Sequence, residues 1–228
     1  MPGHVKGVRS YNSPLRADQA LQTRRKVLES ARRLFVERGY AGTTVAAVAD
    51  DAGVSPETIY LSLGGKRGLL EGVMDITGPH DSAADDDKWW RLVDELASPV
   101  ARLDKMVEYS CRILARTRPI HAIIRGAADK EAFAADLGRR LLNERLATQT
   151  ERIEQYLAGQ LRPGLSFRAA GERYCALTSP ELYHLLTVEL AWTAQQHQRW
   201  VTELLQSELL QSELLQTELL QTEQLESR

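Results

Sequence analysis

The stretch 43–66, TTVAAVADDAGVSPETIYLSLGGK, constrains the fold more than any other part of the sequence. Thr44 is placed to cap a helix, because its hydroxyl can accept a hydrogen bond from a free N–H of the first helical turn. Gly53 supplies the positive φ with which a chain turns sharply after a helix ends. Ser55 then caps a second helix, with Pro56 at its first position, where no N–H is needed. The stretch predicts two short helices joined by a tight turn.

The small and apolar residues around this turn are spaced for a close crossing of the two helices. Ala49 is small where the second helix must approach, and Val54 fills the turn. Ile59, ten residues after Ala49, points back into the junction. Two helices that cross at ~90–120° over a short turn require this spacing. The pattern therefore predicts a helix-turn-helix.

The second predicted helix exposes small and polar side chains that can enter the major groove of DNA with its N-terminus first. Thr58 can contact a base edge, and Glu57 can accept a hydrogen bond from a cytosine amino group. Tyr60 and Lys66 are better placed to bind phosphates, which position a protein without reading sequence. The alternative is a helix hairpin with no role in DNA binding. The candidate DNA-binding residues are Thr44, Ser55, Pro56, Glu57, Thr58, Tyr60, Ser62 and Lys66.

The formal net charge of −2 conceals an asymmetry along the chain. Residues 1–70 carry 11 Lys and Arg against 6 Asp and Glu, whereas residues 202–228 carry one Arg and six Glu. A basic segment of this length is typical of a small DNA-binding module, since its field attracts phosphate. The same charges also fit a solvated helical surface, so the capping pattern is the stronger argument.

Helical periodicity continues through the rest of the chain, and no alternation of apolar and polar residues predicts a strand. We expect an all-α protein with an N-terminal helix-turn-helix three-helix DNA-binding domain and a C-terminal helical ligand-binding and dimerisation domain. The expected divisions are a flexible basic arm over 1–18, the DNA-binding domain over 19–77, the effector-binding and dimerisation domain over 78–201 and a pentad-repeat tail over 202–228.

Helix boundaries in the chain follow from breaking and capping residues. Gly39 should end a first helix that starts near Ala20, and Gly78 and Pro79 should open a linker that extends through the acidic run 85–87. Pro119 should end another helix. The remaining predicted helices cover 66–76, 89–116, 120–127, 130–159, 167–178, 181–191 and the chain from 194 onward.

Other classes of function find no support in the sequence. No apolar run approaches the ~18 residues of a membrane span, and the first 16 residues lack the apolar stretch of a signal peptide. GxSxG, Walker and HExxH motifs are absent, so neither enzyme activity nor a cofactor is expected. Cys111 and Cys175, 64 positions apart, fit a reduced, cytoplasmic protein. His80 with Asp81 and the acidic run 85–87 contains metal-ligand types, but we expect a solvated linker there and no metal.

The motifs of this stretch resemble those of the TetR family of one-component transcriptional regulators. The resemblance covers roughly residues 20–72, and its motifs are Thr43-Thr44, Ala49, Gly53-Val54-Ser55, Thr58, Tyr60, Lys66 and Leu69-Leu70. The chain departs from the family pattern at Leu61, Ser62 and Leu63, and Gly64-Gly65 precedes Lys66.

The resemblance implies a homodimer that binds palindromic double-stranded operator DNA and is released by a small apolar or amphipathic effector. It also implies phosphate contacts by Thr44, Tyr60 and Lys66. Base-facing positions are implied for Pro56, Glu57 and Thr58. The segment 181–205 would then form the dimer interface, because its leucines and tryptophans offer an apolar surface that a monomer would expose.

The effector pocket of such a protein is apolar with a few polar groups. The candidate lining residues are Met106, Tyr109, His121, Ile124 and Tyr174, and the alternative is that these are ordinary core positions.

Residues 202–226 repeat a pentad, TELLQ SELLQ SELLQ TELLQ TEQLE. Five residues rotate a helix by ~140° net, so successive leucine pairs build no single stripe. Three hypotheses remain: a frayed extension, a helix that extends the dimer interface before fraying, and a helix that drives higher assembly. We expect the first, in which truncation after Leu205 leaves operator affinity unchanged. The alternative function is a DNA-bound scaffold or co-regulator that assembles through this tail without sensing a ligand.

Overall fold

The computed structural model describes residues 13–78 and 83–216 and divides the chain into two compact units, Met1–Val73 and Met74–Arg228. The described residues form no strand, only an isolated antiparallel bridge between Leu161 and Leu210. No described helix is long and apolar enough to cross a membrane. The all-α prediction is confirmed. The helices are α1 (Ser13–Gly42), α2 (Val45–Ala52), α3 (Pro56–Leu63), α4 (Lys66–Thr77), α5 (Ala83–Asp94), α6 (Pro99–Ala128), α7 (Ala132–Leu157), α8 (Phe167–Leu177), α9 (Pro180–His184) and α10 (Ala194–Leu209).

The first unit packs the apolar stripe of α1 against α2, α3 and the start of α4. Because apolar residues recur every three or four positions, each helix buries one face. The helix α1 begins at Ser13, so the expected arm over 1–18 is wrong for residues 13–18, and residues 1–12 lie outside the described range. A proline in the first helical turn, here Pro14, costs no hydrogen bond. The buried residues of this unit include Val27, Leu28, Ala31, Leu34, Phe35, Val48, Ala49, Ile59, Leu69, Leu70 and Val73.

The predicted break at Gly39 is present inside α1. Gly39 adopts φ 70° and ψ 174°, which interrupts the helix one turn before Gly42. The buried Thr43 fixes this corner, because its hydroxyl contacts the carbonyl oxygens of Leu34 at 3.1 Å and Gly39 at 2.9 Å. The corner directs the chain into α2.

The second unit is built on the long helices α6 and α7, with α8 packed on α7 and α10 on α6. Pro119 lies inside α6 and does not end it, contrary to the sequence prediction. A proline lacks the N–H that would donate to the carbonyl four residues earlier. That carbonyl belongs to the exposed Ala115, so water can donate a hydrogen bond to it instead. The core includes Val93, Leu103, Met106, Val107, Ile153, Leu157, Ala170, Tyr174, Val201 and Leu205.

The start of α6 and the acidic run also differ from the prediction. The expected helix over 89–116 is two helices, because Ser98 accepts a hydrogen bond from the Ala101 N–H at 3.2 Å and Pro99 opens α6. The acidic run 85–87 belongs to α5 and not to a linker. Carboxylates are stabilised in a first helical turn by the helix dipole. His80 and Asp81 lie outside the described residues.

Residues 202–210 are more ordered than their repeat predicts. The helix α10 runs through residue 202 to Leu209, and Leu210 is extended, with φ −91° and ψ 154°. Leu205, Leu209 and Leu210 are fully buried. The hypothesis of a frayed extension is therefore wrong for residues 202–210.

The break at Leu210 explains how both leucines of one pentad are buried. A continuous helix would carry the next pentad ~140° around its axis. The helix instead ends at Leu209, and hydrogen bonds then hold the chain against the loop after α7. The Arg162 N–H donates to the Leu209 oxygen at 2.8 Å, and the Gln211 side chain donates to the oxygens of Gly159 and Leu161 at 3.0 and 3.2 Å.

Candidate functional site

Side-chain caps and one left-handed glycine position α3. The Thr44 hydroxyl accepts a hydrogen bond from the Ala47 N–H at 3.1 Å, and Ser55 accepts one from the Thr58 N–H at 3.3 Å. Gly53 lies in the left-handed region, with φ 66° and ψ 40°. All three features were predicted, and the helix-turn-helix is confirmed.

The junction of α2 and α3 is tightly closed. Ala49, Ala52 and Ile59 are fully buried, and the Val54 N–H donates to the Ala49 oxygen at 3.0 Å. Since α3 is only eight residues long, this junction and not its own length must hold it in place.

The outer face of α3 combines exposed polar groups with one exposed leucine. Glu57, Tyr60 and Ser62 are exposed, and Leu61 is 91% exposed. Leu61 is not among the predicted DNA-binding residues, although its position on the helix face opposite Ile59 could have indicated its exposure. A thymine methyl is an apolar group that a leucine at such a position could contact.

The hydroxyl groups of α3 are engaged along the helix itself. Ser55 and Thr58 hydroxyls lie 3.2 Å apart, and the Ser62 hydroxyl donates to the Thr58 carbonyl at 2.6 Å. Hydrogen bonds from its own backbone N–H and from Ser55 hold the pKa of Glu57 below its usual value. The first turn of α3 therefore presents an ionised carboxylate. This carboxylate can accept a hydrogen bond from a base amino group, and it would repel a phosphate.

Tyr60 and Lys66 sit at the junction of α3 and α4. Gly64 and Gly65 both have positive φ, 71° and 96°, and a Cβ on Gly65 would lie 3.0 Å from the Tyr60 ring. The Lys66 ammonium lies 4.3 Å from the centroid of the Tyr40 ring and 3.4 Å from the Ala41 oxygen. Lys66 is thus held through its ammonium and Tyr60 packs through its ring, by contacts that the sequence did not indicate.

The second unit contains a cavity of about 250 Å³, called here the α6–α7 cavity. Of the five predicted lining residues, Tyr109 and His121 lie in its wall. Met106, Ile124 and Tyr174 are buried in the core and are not wall residues. The wall is formed by Met74, Asp75, Gly78, Tyr109, Ser110, Ile113, Leu114, Thr117, His121, Leu141, Glu144, Arg145, Thr148, Gln149, Arg152 and Thr178.

Two arginines of α7 give this cavity a positive interior. The Arg152 guanidinium lies 3.8 Å from the Trp90 ring centroid and 5.5 Å from that of Tyr109. Arg145 donates through Nη2 to the Cys175 carbonyl. Burial, with the charge of Arg145 as the next cause, lowers the pKa of His121 to about 4, so His121 is neutral at pH 7.

The predicted dimer segment divides into buried and exposed parts. Leu186, Val201 and Leu205 are core residues of their own chain. Residues 185–189 form a π-helical turn after α9, and Leu185, Val188 and Leu190 in and after this turn are 46–56% exposed. Within the described ranges, no three His, Cys, Asp or Glu side chains group as they would around a metal ion.

Two capped helices with a tight turn and an exposed second helix form a helix-turn-helix, the arrangement with which many proteins place a helix in the major groove of DNA. Residues 27–73 match the sequence profile of the family described as bacterial regulatory proteins, tetR family. The match lies within the helix-turn-helix unit, so this part of the chain is similar to the DNA-binding domain of that family.

Two comparisons with curated relatives agree. The chain is 33% identical to the HTH-type transcriptional regulator TtgR of Pseudomonas putida over 108 residues, 47% of this chain and 51% of TtgR. It is 32% identical over 108 residues to the probable regulator ArpR of the same species, with the same coverage. The chain spans about half the length of these relatives. Their names are those of transcriptional regulators and not of enzymes.

Solved structures share the fold beyond the DNA-binding domain. NalD, described as the secondary repressor of the MexAB-OprM multidrug efflux pump in Pseudomonas aeruginosa, aligns with a TM-score of 0.63 at 18% identity, covering 85% of this chain and 99% of NalD. A SmeT–triclosan complex aligns with a TM-score of 0.65 at 18% identity, covering 85% of this chain and 94% of SmeT. At these identities the likeness shows the fold alone.

Proposed function

We propose that this chain is a transcriptional repressor that binds palindromic operator DNA as a homodimer and is released by a small-molecule effector in the α6–α7 cavity. The observation that carries the proposal is the outer face of α3, where a fixed, capped helix exposes Glu57, Tyr60, Leu61 and Ser62. Leu61, at 91% exposed, adds little to the packing of the first unit. Repression is the activity that the name of NalD records for a protein of the same fold.

The homodimer is supported by the exposed leucine and valine side chains at 185–190. Burial of apolar surface at about 25 cal/mol per Å² would favour pairing of two copies through such a patch. A dimer would set its two α3 helices ~34–36 Å apart, one turn of B-DNA. Sedimentation of a Val188→Asp variant should show monomers, and the matched variant Leu142→Asp, on an exposed leucine of α7, should remain dimeric.

Release by an effector is supported by α4, a single helix from Lys66 to Thr77. Its start lies beside α3, where Gly68 approaches Leu63, and its last turn contributes Met74 and Asp75 to the cavity wall. A ligand that prefers one position of this last turn would shift the population of the whole helix. Since DNA binding would prefer one position as well, the two events would be coupled.

The test is a binding titration on operator fragments selected from genomic DNA. Tyr60→Phe and Lys66→Ala should weaken binding to all sequences, and Lys66→Ala should flatten the salt dependence as one phosphate contact is lost. Thr58→Ala should change the sequence preference. The matched control is Lys88→Ala, an exposed lysine of the second unit, which should bind as the unaltered chain does. Retention of full affinity by the α3 and α4 variants alike would reject the proposal.

The scaffold alternative requires a tail that is free to bind other copies. Leu205, Leu209 and Leu210 are instead buried in their own chain. The first two pentads therefore offer little apolar surface for assembly, which favours the ligand-sensing repressor.

A further inference from the structure

We propose that the α6–α7 cavity selects an anionic, amphipathic ligand, an aromatic carboxylate whose charged group is held by Arg145 and Arg152. The inference rests on the proposed function, in which this cavity is the effector site. It adds the chemical class of the effector.

The polar wall of the cavity is one stripe of α7. Four polar residues of α7 line the cavity and lie three, one and three positions apart: Arg145, Thr148, Gln149 and Arg152. Residues separated by three, four and seven positions lie on the same face of an α-helix. The two arginines are therefore two turns apart on one face, ~10.5 Å along the axis, and both are directed to the same space.

Arg145 and Gln149 retain buried polar atoms without partners in the described part of the chain. Nη2 of Arg145 donates to the Cys175 carbonyl, but its buried Nε has no acceptor. Gln149 is 7% exposed, and its Oε1 has no donor. Buried polar groups are ordinarily hydrogen-bonded, so both atoms point to a polar ligand group. A carboxylate would accept from Arg145, and a hydroxyl on the same ligand would donate to Gln149.

The Arg152 guanidinium is held by aromatic rings. Its guanidinium lies over the rings of Trp90 and Tyr109. The charge of Asp86 also acts on Arg152, but Asp86 is paired with Arg112 at 4.0 Å. Stacking on a ring uses the flat face of a guanidinium and leaves its N–H edge available. That edge matches the two oxygens of a carboxylate, which accept a bidentate pair of hydrogen bonds.

The acidic wall residues do not cancel these charges, because they are exposed whereas the arginines are half-buried. Asp75 is exposed, and Glu144 is exposed and lies 3.9 Å from Arg140, on the solvent side of α7. Charges in water are screened far more than charges in a cavity. The neutral state of His121 agrees with a positive interior, since the charge of Arg145 disfavours its protonation.

The opposite side of the cavity accepts an apolar body. Met74, Ile113, Leu114 and Leu141 supply carbon surface, and the volume of about 250 Å³ suits a ligand of two fused rings. Cavities of this kind fix orientation through a few polar groups and gain affinity from apolar contact. The carboxylate would lie on the α7 stripe and the rings against α6 and the last turn of α4.

The experiment compares three probes of one shape on the full chain by calorimetry: 2-naphthoate, the neutral 2-naphthamide and the cationic 2-naphthylmethylammonium. We expect 2-naphthoate to bind at least tenfold more tightly than the amide and the ammonium not to bind. Arg145→Gln should abolish the preference for the carboxylate, with Arg145→Lys as the variant that keeps the charge. Arg140→Gln, an exposed arginine of the same helix, should keep the preference.

A position-specific readout follows from His121. An anion in the cavity would raise the pKa of His121, which also faces Arg145, Arg125 and Glu181. An NMR titration should show this rise with 2-naphthoate and not with the amide, and the affected resonance should be missing from His121→Gln.

The outcomes separate the two proposals. Equal or tighter binding of the amide or the ammonium, absence of 2-naphthoate binding, or an undiminished preference in Arg145→Gln overturns the anionic class. If the amide binds and releases DNA, the repressor proposal stands and the anionic class fails. If 2-naphthoate binds selectively to a chain that binds no DNA, the ligand site stands and the repressor proposal fails.

Discussion

A Cβ atom on Gly68 would lie 1.6 Å from the carbonyl oxygen of Leu63. The last residue of α3 and the first turn of α4 thus lie so close together that any residue larger than glycine at position 68 would clash. The proposed coupling between effector and DNA depends on this contact, because a displacement of α4 would act here on the backbone of α3.

We expect Gly68→Ala to lower the free energy of unfolding by about 1–3 kcal/mol, the usual range for overpacking a tight contact. DNA affinity should fall as well, since α3 must move away from α4. Chemical denaturation and DNA titration measure the two effects. The control is Gly126→Ala in α6, where an added Cβ meets nothing within 4 Å and alanine should gain up to about 1 kcal/mol as the better helix former. Equal stability of the two variants would show that the α3–α4 contact is loose.

Leu61 provides a test of DNA contact that is independent of stability. Because it is 91% exposed, Leu61→Ser should leave the melting temperature unchanged and reduce affinity for the preferred operator. In competition experiments between operator sequences, the loss of affinity should be largest for sequences that carry thymine at the contacted position. Leu142→Ser, at a leucine 55% exposed on α7, is the matched control and should leave DNA binding intact. An operator affinity unaffected by Leu61→Ser would remove this residue from the interface.

The C-terminal leucines change the expectation for truncation. A chain that ends after Leu205 loses the buried Leu209 and Leu210 and the hydrogen bonds to the loop after α7. Deletion of a buried leucine side chain typically costs about 2–5 kcal/mol, so we expect strong destabilisation of the second unit. A chain that ends after Gln216 keeps every contact described above and should melt as the full chain does. Calorimetric melting of the two truncations decides between a structural and a dispensable segment.

Acid should weaken the second unit through His121. Its pKa is lowered from 6.5 to about 4 in the folded chain, chiefly by burial. A group whose folded pKa is lowered contributes stability that is present above its unfolded pKa and is lost as the pH falls through the folded value. We therefore expect unfolding free energy to fall between pH 6.5 and pH 4, and to fall less in His121→Gln. His197, whose pKa burial also lowers, contributes in the same direction and remains in both chains.

Local capping rules predicted the helix-turn-helix well because each of its boundaries is a short-range interaction. Ser55-Pro56 opens α3 as expected, and Ser179-Pro180 opens α9 in the same way. Ser98-Pro99 carries the same pattern and opens α6, but the apolar periodicity of residues 89–116 concealed this boundary. At Pro119 the sequence predicted a helix end that the structure does not have. One missing hydrogen bond is tolerable within a long helix when the carbonyl that loses its donor is exposed to water.

The cavity could be predicted only in part. The helices α6 and α7 are buried on more than one side, so apolar periodicity does not distinguish a cavity wall from a core position. Tyr109 and His121 were found as polar groups on an apolar helix. Arg145 and Arg152 were missed because a lone charged residue predicts solvent exposure unless the packing of its helix is known.

The extended residue Leu210 lies in the first of two consecutive pentads of identical sequence, SELLQ at 207–211 and SELLQ at 212–216. If replication slippage deleted one of them, the remaining copy would place the same leucines and the same glutamine at every buried or hydrogen-bonded position through residue 211. The gene can therefore vary in length here, in steps of fifteen nucleotides, without altering the core of the protein that it encodes.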